Sequence, residues 1–381
     1  MPDQINKLRI AVNTRLLLPD YLEGVGNFIH ENLKRIVKEH PQHEFLFIFD
    51  RPFDPKYIYE SNVNGIVCGP PARHPILWKL WYDLRVPALL KKWKADLFLS
   101  PDGFCSLTTS LPQCLVLHDL AYLHFPGFNK RSHRYFYQRY TAKFLRKTKT
   151  IATVSEFSRQ DIIRHFPDAI DKIDVVHSGV KEIFSPRDLG KREITKKRYT
   201  EGKDYFLYTG AIHPRKNLIN LLKAFSIFKK RQKSSMKLVL TGRLAWKYDG
   251  FLKDLKHYKF RDDVVLTGYV EEKELTEITA AAYAMVYPSL HEGFGLPVLE
   301  AMRSGVPVIT SENSSMQEIA GEAALYFDPA QPSSIAEKMM RIYKDESLRN
   351  ALVAKGFIAS LPYSWDRSAK LLWEVMMKAL A

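Results

Sequence analysis

The amino-acid sequence predicts an α/β protein of two doubly wound domains facing each other across a cleft, and three observations carry that prediction. The chain has 381 residues, more than one typical core accommodates. Short apolar, β-branched runs alternate with helical patterns along its length. One charged segment, Lys181 to Lys203, interrupts the alternation near the middle.

In the first half the strand-like runs are Leu8 to Val12, Glu44 to Phe49, Gly65 to Cys68, Asp96 to Ser100, Cys114 to His118, Thr150 to Ser155 and Ile173 to His177. Strands separated by helical stretches imply parallel sheets covered by helices on both faces. The segment Lys181 to Lys203 contains Pro186 and Gly190 and no clear strand, which marks it as boundary and linker. The expected division is residues 1–185 and 186–363. In the second half the runs are Tyr205 to Thr209, Lys237 to Thr241, Val264 to Thr267, Ala284 to Tyr287, Pro307 to Thr310 and Ala324 to Phe327, with helices such as Leu218 to Lys230 between them. Ser364 to Leu380 reads as an amphipathic helix. In such sheets ligands sit at the carboxyl ends of the strands, here in the cleft.

Composition is that of a globular protein, 46% hydrophobic and 26% charged. Lys and Arg number 57 against 42 Asp and Glu, a net charge of +15. That excess suits an anionic partner, whether a phosphorylated substrate, a membrane or a nucleic acid, and it equally suits a solvated basic surface. Cys68, Cys105 and Cys114 show no zinc spacing and fit a reducing compartment. Met1 to Asn13 lacks the apolar core of a leader, and no apolar run reaches the length of a membrane span. The expected location is the cytoplasm, with peripheral attachment to the inner face of the membrane as a further option.

The most specific string is His291-Glu-Gly-Phe-Gly-Leu-Pro-Val-Leu-Glu300-Ala-Met, directly after the run Ala284 to Tyr287. Gly293 and Gly295 let the backbone turn sharply and approach a ligand. Pro297 suits the first turn of a helix, whose N-terminus then favours an anion in the loop. Glu292 precedes that helix and Glu300 lies about a turn into it, so the two carboxylates can reach different parts of one extended ligand. A second string, Tyr208-Thr-Gly-Ala-Ile-His-Pro-Arg215-Lys216-Asn217, ends a strand, turns at a glycine and sets two adjacent cations before a helix. Cations so placed neutralise a diphosphate whose charge grows as a sugar departs. His118-Asp119 stands at another strand end. Gly24-Val-Gly26-Asn27 reads as a Gly-rich loop after the first strand. Arg243 follows the run Lys237 to Thr241 and is placed to face a nucleotide. Ser155 and Ser158 read as helix caps. No Asp-x-Asp occurs, so cationic side chains rather than a metal are expected to offset diphosphate charge.

The string from Glu292 to Glu300 resembles the Glu–seven residues–Glu motif of the family 4 retaining glycosyltransferases, which have the GT-B fold. Arg303 to Thr310 and Glu318 to Pro329 continue in the same manner, and the resemblance covers nearly the whole chain. It implies a retaining hexosyltransferase acting on a nucleoside-diphosphate sugar, without cofactor or metal. The first domain would receive a glycan or lipid-linked acceptor, the second would hold the donor, and the last helix, residues 364–381, would cross back onto the first. By the same resemblance Glu292 would contact the donor sugar hydroxyls, Glu300 the ribose hydroxyls, and Gly293, Phe294, Gly295 and Leu296 would line the sugar and phosphate site. Arg215 and Lys216 would bind the diphosphate, with Ala211 standing where the family carries an Arg. His118 would lie near sugar and acceptor, and the loop of Gly24 and Gly26 would border acceptor and phosphate. Likeness to mannosyltransferases puts GDP-mannose first as donor, ahead of UDP-glucose and UDP-N-acetylglucosamine.

Two segments, Lys130 to Lys149 and Ile76 to Trp93, interleave cations with aromatics. They suit contact with an anionic membrane, and inward-packed aromatics under a solvated basic face equally well. A nucleic-acid binder would explain the charge but leaves the glutamate motif without a purpose, so no nucleic-acid partner is expected. An epimerase or sugar phosphorylase would keep the fold and change the reaction.

Overall fold

The computed structural model describes residues 7–19, 22–244 and 249–381; Met1 to Asn6, part of the stretch searched for a leader, lie outside the described residues. The chain divides into two compact units, Met1–Gly179 together with Trp365–Ala381, and Val180–Ser364.

The first unit is a seven-stranded sheet of β1 (Arg9–Asn13), β2 (Glu44–Phe49), β3 (Val63–Val67), β4 (Leu97–Ser100), β5 (Gln113–Val116), β6 (Thr150–Thr153) and β7 (Ile173–Val175) in the order β3-β2-β1-β4-β5-β6-β7. The second is a six-stranded sheet of β8 (Tyr205–Thr209), β9 (Lys237–Thr241), β10 (Val264–Gly268), β11 (Ala284–Tyr287), β12 (Val308–Ser311) and β13 (Ala324–Phe327) in the order β10-β9-β8-β11-β12-β13. Every pairing is parallel. Helices cover both faces, so central strands such as Ile10 to Val12 and Phe206 to Tyr208 are wholly buried. In each unit the strand order reverses once, between β1 and β4 and between β8 and β11. These switch points open a crevice at the carboxyl ends, where doubly wound sheets bind ligands.

The helix Trp365–Lys378 belongs to the first unit. It packs on the helix Gly24–Glu39, with Trp365 edge-on to Phe28 at 6.3 Å and Asp366 accepting from Arg35 Nε at 2.5 Å. The segment read as a linker instead holds a helix, Leu189–Thr200, capped by Asp188, whose carboxylate accepts from the Lys191 N–H at 2.9 Å. Leu189 and Ile194 both face outward there, so this helix shows no apolar stripe in the sequence. A second correction concerns Gly24 and Gly26. They form no loop but the first turn of the helix Gly24–Glu39, closed by the Asn27 N–H donating to Glu23 O at 2.7 Å. A Cβ at Gly26 would lie 2.7 Å from the Leu16 carbonyl oxygen, so this glycine permits close packing of chain on chain. Among the described residues no helix is long and apolar enough to cross a membrane.

Candidate active site

At the switch point of the second unit, β8 runs out at Thr209 and the chain turns at Gly210. It then crosses Gly242, which follows β9. Gly242 has φ +142°, and a Cβ there would run into the Gly210 carbonyl. A short 3₁₀ turn, Pro214–Lys216, follows; His213 caps it, its Nδ1 accepting from the Arg215 N–H at 3.2 Å. Asn217 takes a left-handed φ of +61°, and its side chain donates to Pro329 O at 2.7 Å. These local devices fix the direction of Arg215 and Lys216.

From the neighbouring strand, β11, the chain enters Pro288 to Gly295. Ser315 Oγ donates to Glu292 O at 3.0 Å and Phe294 O at 2.6 Å, Ser311 Oγ to Ser289 O at 2.7 Å, and Asn313 to Leu290 O at 2.8 Å. Gly295, at φ +106°, leads into the helix Leu296–Arg303, and a Cβ on it would collide with Met316. The loop is therefore bolted from behind, and its front carries Glu292.

The buried Glu292 carboxylate gathers the site. Lys216 Nζ donates to one of its oxygens and to Tyr287 OH, the latter at 2.7 Å. Ser289 Oγ donates to the same carboxylate at 2.5 Å and Tyr287 OH at 3.2 Å. Arg215 donates to His291 O and approaches the second carboxylate oxygen at 3.4 Å. Burial alone would keep this acid protonated, but Lys216 and Arg215 outweigh it and hold the carboxyl at about 2. Burial also pushes the Tyr287 and Tyr208 phenols well up, so both stay neutral donors.

Glu300 sits a turn along the helix, partly buried. There burial drives its carboxyl up to about 8, with Lys181 opposing the rise and Glu272 adding to it. The two glutamates thus stand in opposite protonation states at neutral pH. Leu296 opens the helix, and the buried Phe294 meets Tyr363 edge-on at 5.8 Å. Arg243 follows β9 and is anchored through its backbone, its carbonyl accepting from the Ile212 N–H at 2.9 Å. Ala211, where the resemblance implies an Arg, accepts through its carbonyl from Tyr208 OH at 3.0 Å.

In the first unit, His118 follows β5, its Nε2 donating to Pro101 O at 3.1 Å and its ring edge-on to Phe28 at 5.1 Å. Burial lowers its pKa, against Pro101 O, Asp119 and Asp102, which raise it. Beside it, at the switch point of this sheet, lies a cluster that sequence reasoning missed. Arg15, after β1, binds Asp102, after β4, and donates to Tyr82 OH at 3.3 Å and Ala72 O at 3.1 Å. Tyr82 OH lies 2.6 Å from Asp102 and accepts from Asn13 at 2.7 Å. Ser155 caps the helix Glu156–His165 through the Ser158 N–H at 3.0 Å, as expected of a structural serine.

Residues 22–182 match the family described as Glycosyltransferase Family 4, and residues 191–357 that described as Glycosyl transferases group 1. The chain is similar to O-antigen chain mannosyltransferase B of Escherichia coli, 28% identical over 91% of this chain and 93% of that one. It is also similar to O-antigen chain mannosyltransferase RfbU of Salmonella typhimurium, 29% identical over 67% of each chain. Among solved structures it superposes on WaaG, a glycosyltransferase involved in lipopolysaccharide biosynthesis, with a TM-score of 0.77 at 16% identity, covering 95% of this chain and 99% of that one. The architecture is that of the GT-B proteins.

Proposed function

We propose, for a chain that belongs to the family 4 glycosyltransferases, that it moves a hexosyl unit, mannose first, from a nucleoside-diphosphate sugar to a hydroxyl of a glycan or lipid-linked acceptor with retained anomeric configuration. The observation that carries this reading is the convergence of Lys216, Arg215, Glu292 and the N-terminus of Leu296–Arg303 on one switch point. Two cations, with a helix end aimed at the same place, make a seat for a diphosphate and stabilise the charge it gains as the sugar leaves. Glu292 pairs with those cations until the donor arrives and presents oxygens to sugar hydroxyls. Glu300 takes the ribose hydroxyls. Gly293 to Leu296 line the sugar and phosphate. The acceptor goes to the first unit, where His118 and the Arg15–Asp102 pair stand at the ends of β5, β1 and β4. A front-face attack, with the departing phosphate oxygen receiving the acceptor proton, needs no metal.

Mannose is favoured because both relatives above are named O-antigen chain mannosyltransferases, and those names support a glycan of the O-antigen kind as acceptor. The first experiment is thermal stabilisation by GDP, UDP and ADP, with and without EDTA, since a ligand that binds only the native state raises Tm by mass action. Stabilisation by one nucleotide regardless of EDTA is expected. Loss of that stabilisation on chelation overturns metal independence. An inverted linkage in the product, read by NMR, overturns the retaining mechanism.

A further inference from the structure

The first unit has a crevice of its own, where β1, β4 and β5 lie side by side and end together. Three charged residues follow those ends: Arg15 after β1, Asp102 after β4 and Asp119 after β5. The Asp102 side chain is wholly buried and engaged on both oxygens, by Arg15, by Tyr82 OH at 2.6 Å and by the Phe104 N–H at 3.3 Å. Arg15 is pinned along one edge only. Its Nε and Nη1 are taken up by Asp102, Tyr82 and Ala72 O, while Nη2 makes no hydrogen bond among the described residues and the side chain keeps 8% of its surface exposed. Asp119 is half engaged in the same way. Its Oδ1 accepts from the Ala121 N–H at 2.9 Å, and Oδ2 has no partner among the described residues.

A third open group comes from the helix Arg131–Lys147. The Tyr137 ring stacks on Phe104 at 5.8 Å and meets Tyr122 at 4.9 Å, and the Arg15 guanidinium lies 5.3 Å over the same Phe104 ring. The Tyr137 OH makes no hydrogen bond among the described residues. Burial raises its pKa, Arg15 opposes the rise, and Asp102 and Asp119 add to it, so these three are the charges that face the phenol. His118 adds no cation, since burial lowers its pKa and leaves the ring neutral at pH 7. In a chain of net charge +15, this crevice therefore sets the single charge of Arg15 against the carboxylates of both Asp102 and Asp119.

We propose that this crevice takes the terminal sugar of the acceptor as an uncharged ring: Arg15 Nη2 donates to one of its oxygens, Asp119 Oδ2 accepts from a hydroxyl, Tyr137 OH does either, and a sugar carrying a phosphate or a carboxylate is turned away. That the acceptor enters the first unit rests on the proposed function; the class of sugar follows from these residues. A donor, an acceptor and a group that is both, each held by packed neighbours, match the hydroxyls of a sugar, which both give and receive hydrogen bonds. A phosphate or carboxylate needs cations left unmatched, and the one guanidinium here is already paired with Asp102. Such a group would give up its water and meet Asp119 instead. One like charge about 6 Å away, at an effective dielectric constant of about 20, amounts to about a hundredfold in affinity.

The test compares methyl mannobioside and methyl glucobioside, each neutral, phosphorylated at the terminal 6-hydroxyl, or oxidised there to the carboxylate. Binding to the full chain is read by ligand-observed NMR, and transfer by initial rates with the nucleotide sugar whose nucleotide stabilises the chain. A neutral disaccharide should bind and be extended, with its charged forms about a hundredfold weaker in Kd and in kcat/KM. Asp119→Asn keeps Oδ1 for the Ala121 N–H and drops the charge. It should leave Tm unchanged, narrow the ratio of neutral to charged to about tenfold or less, and weaken neutral binding by only about two- to tenfold. Tyr137→Phe, which keeps the ring on Phe104, should weaken neutral binding by a similar two- to tenfold at an unchanged ratio. Glu337→Gln, an exposed carboxylate on the second unit, should behave as the wild type does. The proposal is overturned by charged sugars that bind as tightly as neutral ones, by a wild-type ratio in Asp119→Asn, or by neither binding nor transfer with any of these sugars. Binding with the expected preference but no transfer from any nucleotide sugar would uphold the neutral-sugar site and overturn the proposed function instead.

Discussion

Lys216→Ala separates the chemical role of the cationic pair from its structural one. In the wild type Lys216 Nζ touches the Glu292 carboxylate and Tyr287 OH, with 12% and 11% of the two charged side chains exposed. Removing one partner of a buried ion pair costs about 3–5 kcal/mol. Here Arg215 remains at 3.4 Å and Ser289 at 2.5 Å, which puts the loss near the lower end, about 3 kcal/mol. For a unit of this size that is a fall in Tm of roughly 6–12 °C. The pH dependence shifts with it. Glu292, held at about 2, contributes stability that is complete above the ordinary carboxylate value of 4.5 and is lost only as pH falls towards 2. Without Lys216 the folded-state value rises, so the contribution is smaller and the window over which it is lost, still opening at 4.5, closes at higher pH. The loss of a donor to the departing diphosphate should lower kcat by about 10²–10³. Initial rates at saturating donor give the second effect and thermal melting the first. Adding Glu292→Gln removes the unpaired carboxylate, so Lys216→Ala/Glu292→Gln should recover part of the Tm while kcat stays low. A Lys216→Ala protein with lowered Tm and unchanged kcat would refute the diphosphate role and leave Lys216 as a counter-ion of Glu292.

Three further outcomes follow from the same geometry. Ser289→Ala removes a hydrogen bond to an ionised carboxylate and should lower kcat/KM tenfold or more (roughly 1.5–3 kcal/mol), with Ser289→Thr restoring part of it; equal rates would show that Glu292 needs no such anchor. Glu300, at about 8, is protonated at pH 7, and ribose hydroxyls donating to it favour the ionised form, so nucleotide binding should release close to one proton, read as a binding enthalpy that varies with buffer and as a flat response in Glu300→Gln. Gly242→Ala places a Cβ on the Gly210 carbonyl at a φ that L-residues rarely adopt, and should cost about 1–3 kcal/mol by denaturant melting; a loss below 0.5 kcal/mol, of the order of an ordinary surface substitution, would show that the crossing relaxes.

The strands were the legible part of this chain because a parallel sheet covered on both faces leaves the same mark wherever it occurs. Tyr205 to Thr209, Lys237 to Thr241, Ala284 to Tyr287 and Ala324 to Phe327 end where the apolar run ends. The Leu189–Thr200 helix was illegible for the opposite reason, since it presents its leucine and isoleucine to water and keeps no apolar stripe. The Gly24 to Gly26 stretch was misread because Gly26, needed for close packing on Leu16, is the same letter as a glycine needed for a turn. Contacts between distant charges leave no spacing to read: Arg15 meets Asp102 across 87 positions, and Lys216 meets Glu292 across 76.

That last distance changes the chemistry inferred from the motifs. Read singly, Arg215 and Lys216 are two unsatisfied cations awaiting a phosphate, and Glu292 is a separate acceptor for sugar hydroxyls. Folded, they are one network in which the carboxylate pairs with both cations and offsets one of their two charges. On the proposed function, a diphosphate entering this site would compete with Glu292 for Lys216 and Arg215, and the carboxylate oxygens so released would be the ones left to grip the sugar. Donor binding and sugar positioning would then be a single event, and Glu292→Gln, by freeing the cations, should tighten binding of the nucleoside diphosphate alone while weakening turnover of the nucleotide sugar. Weaker binding of both by that variant would show that the cations need their carboxylate to be held in place.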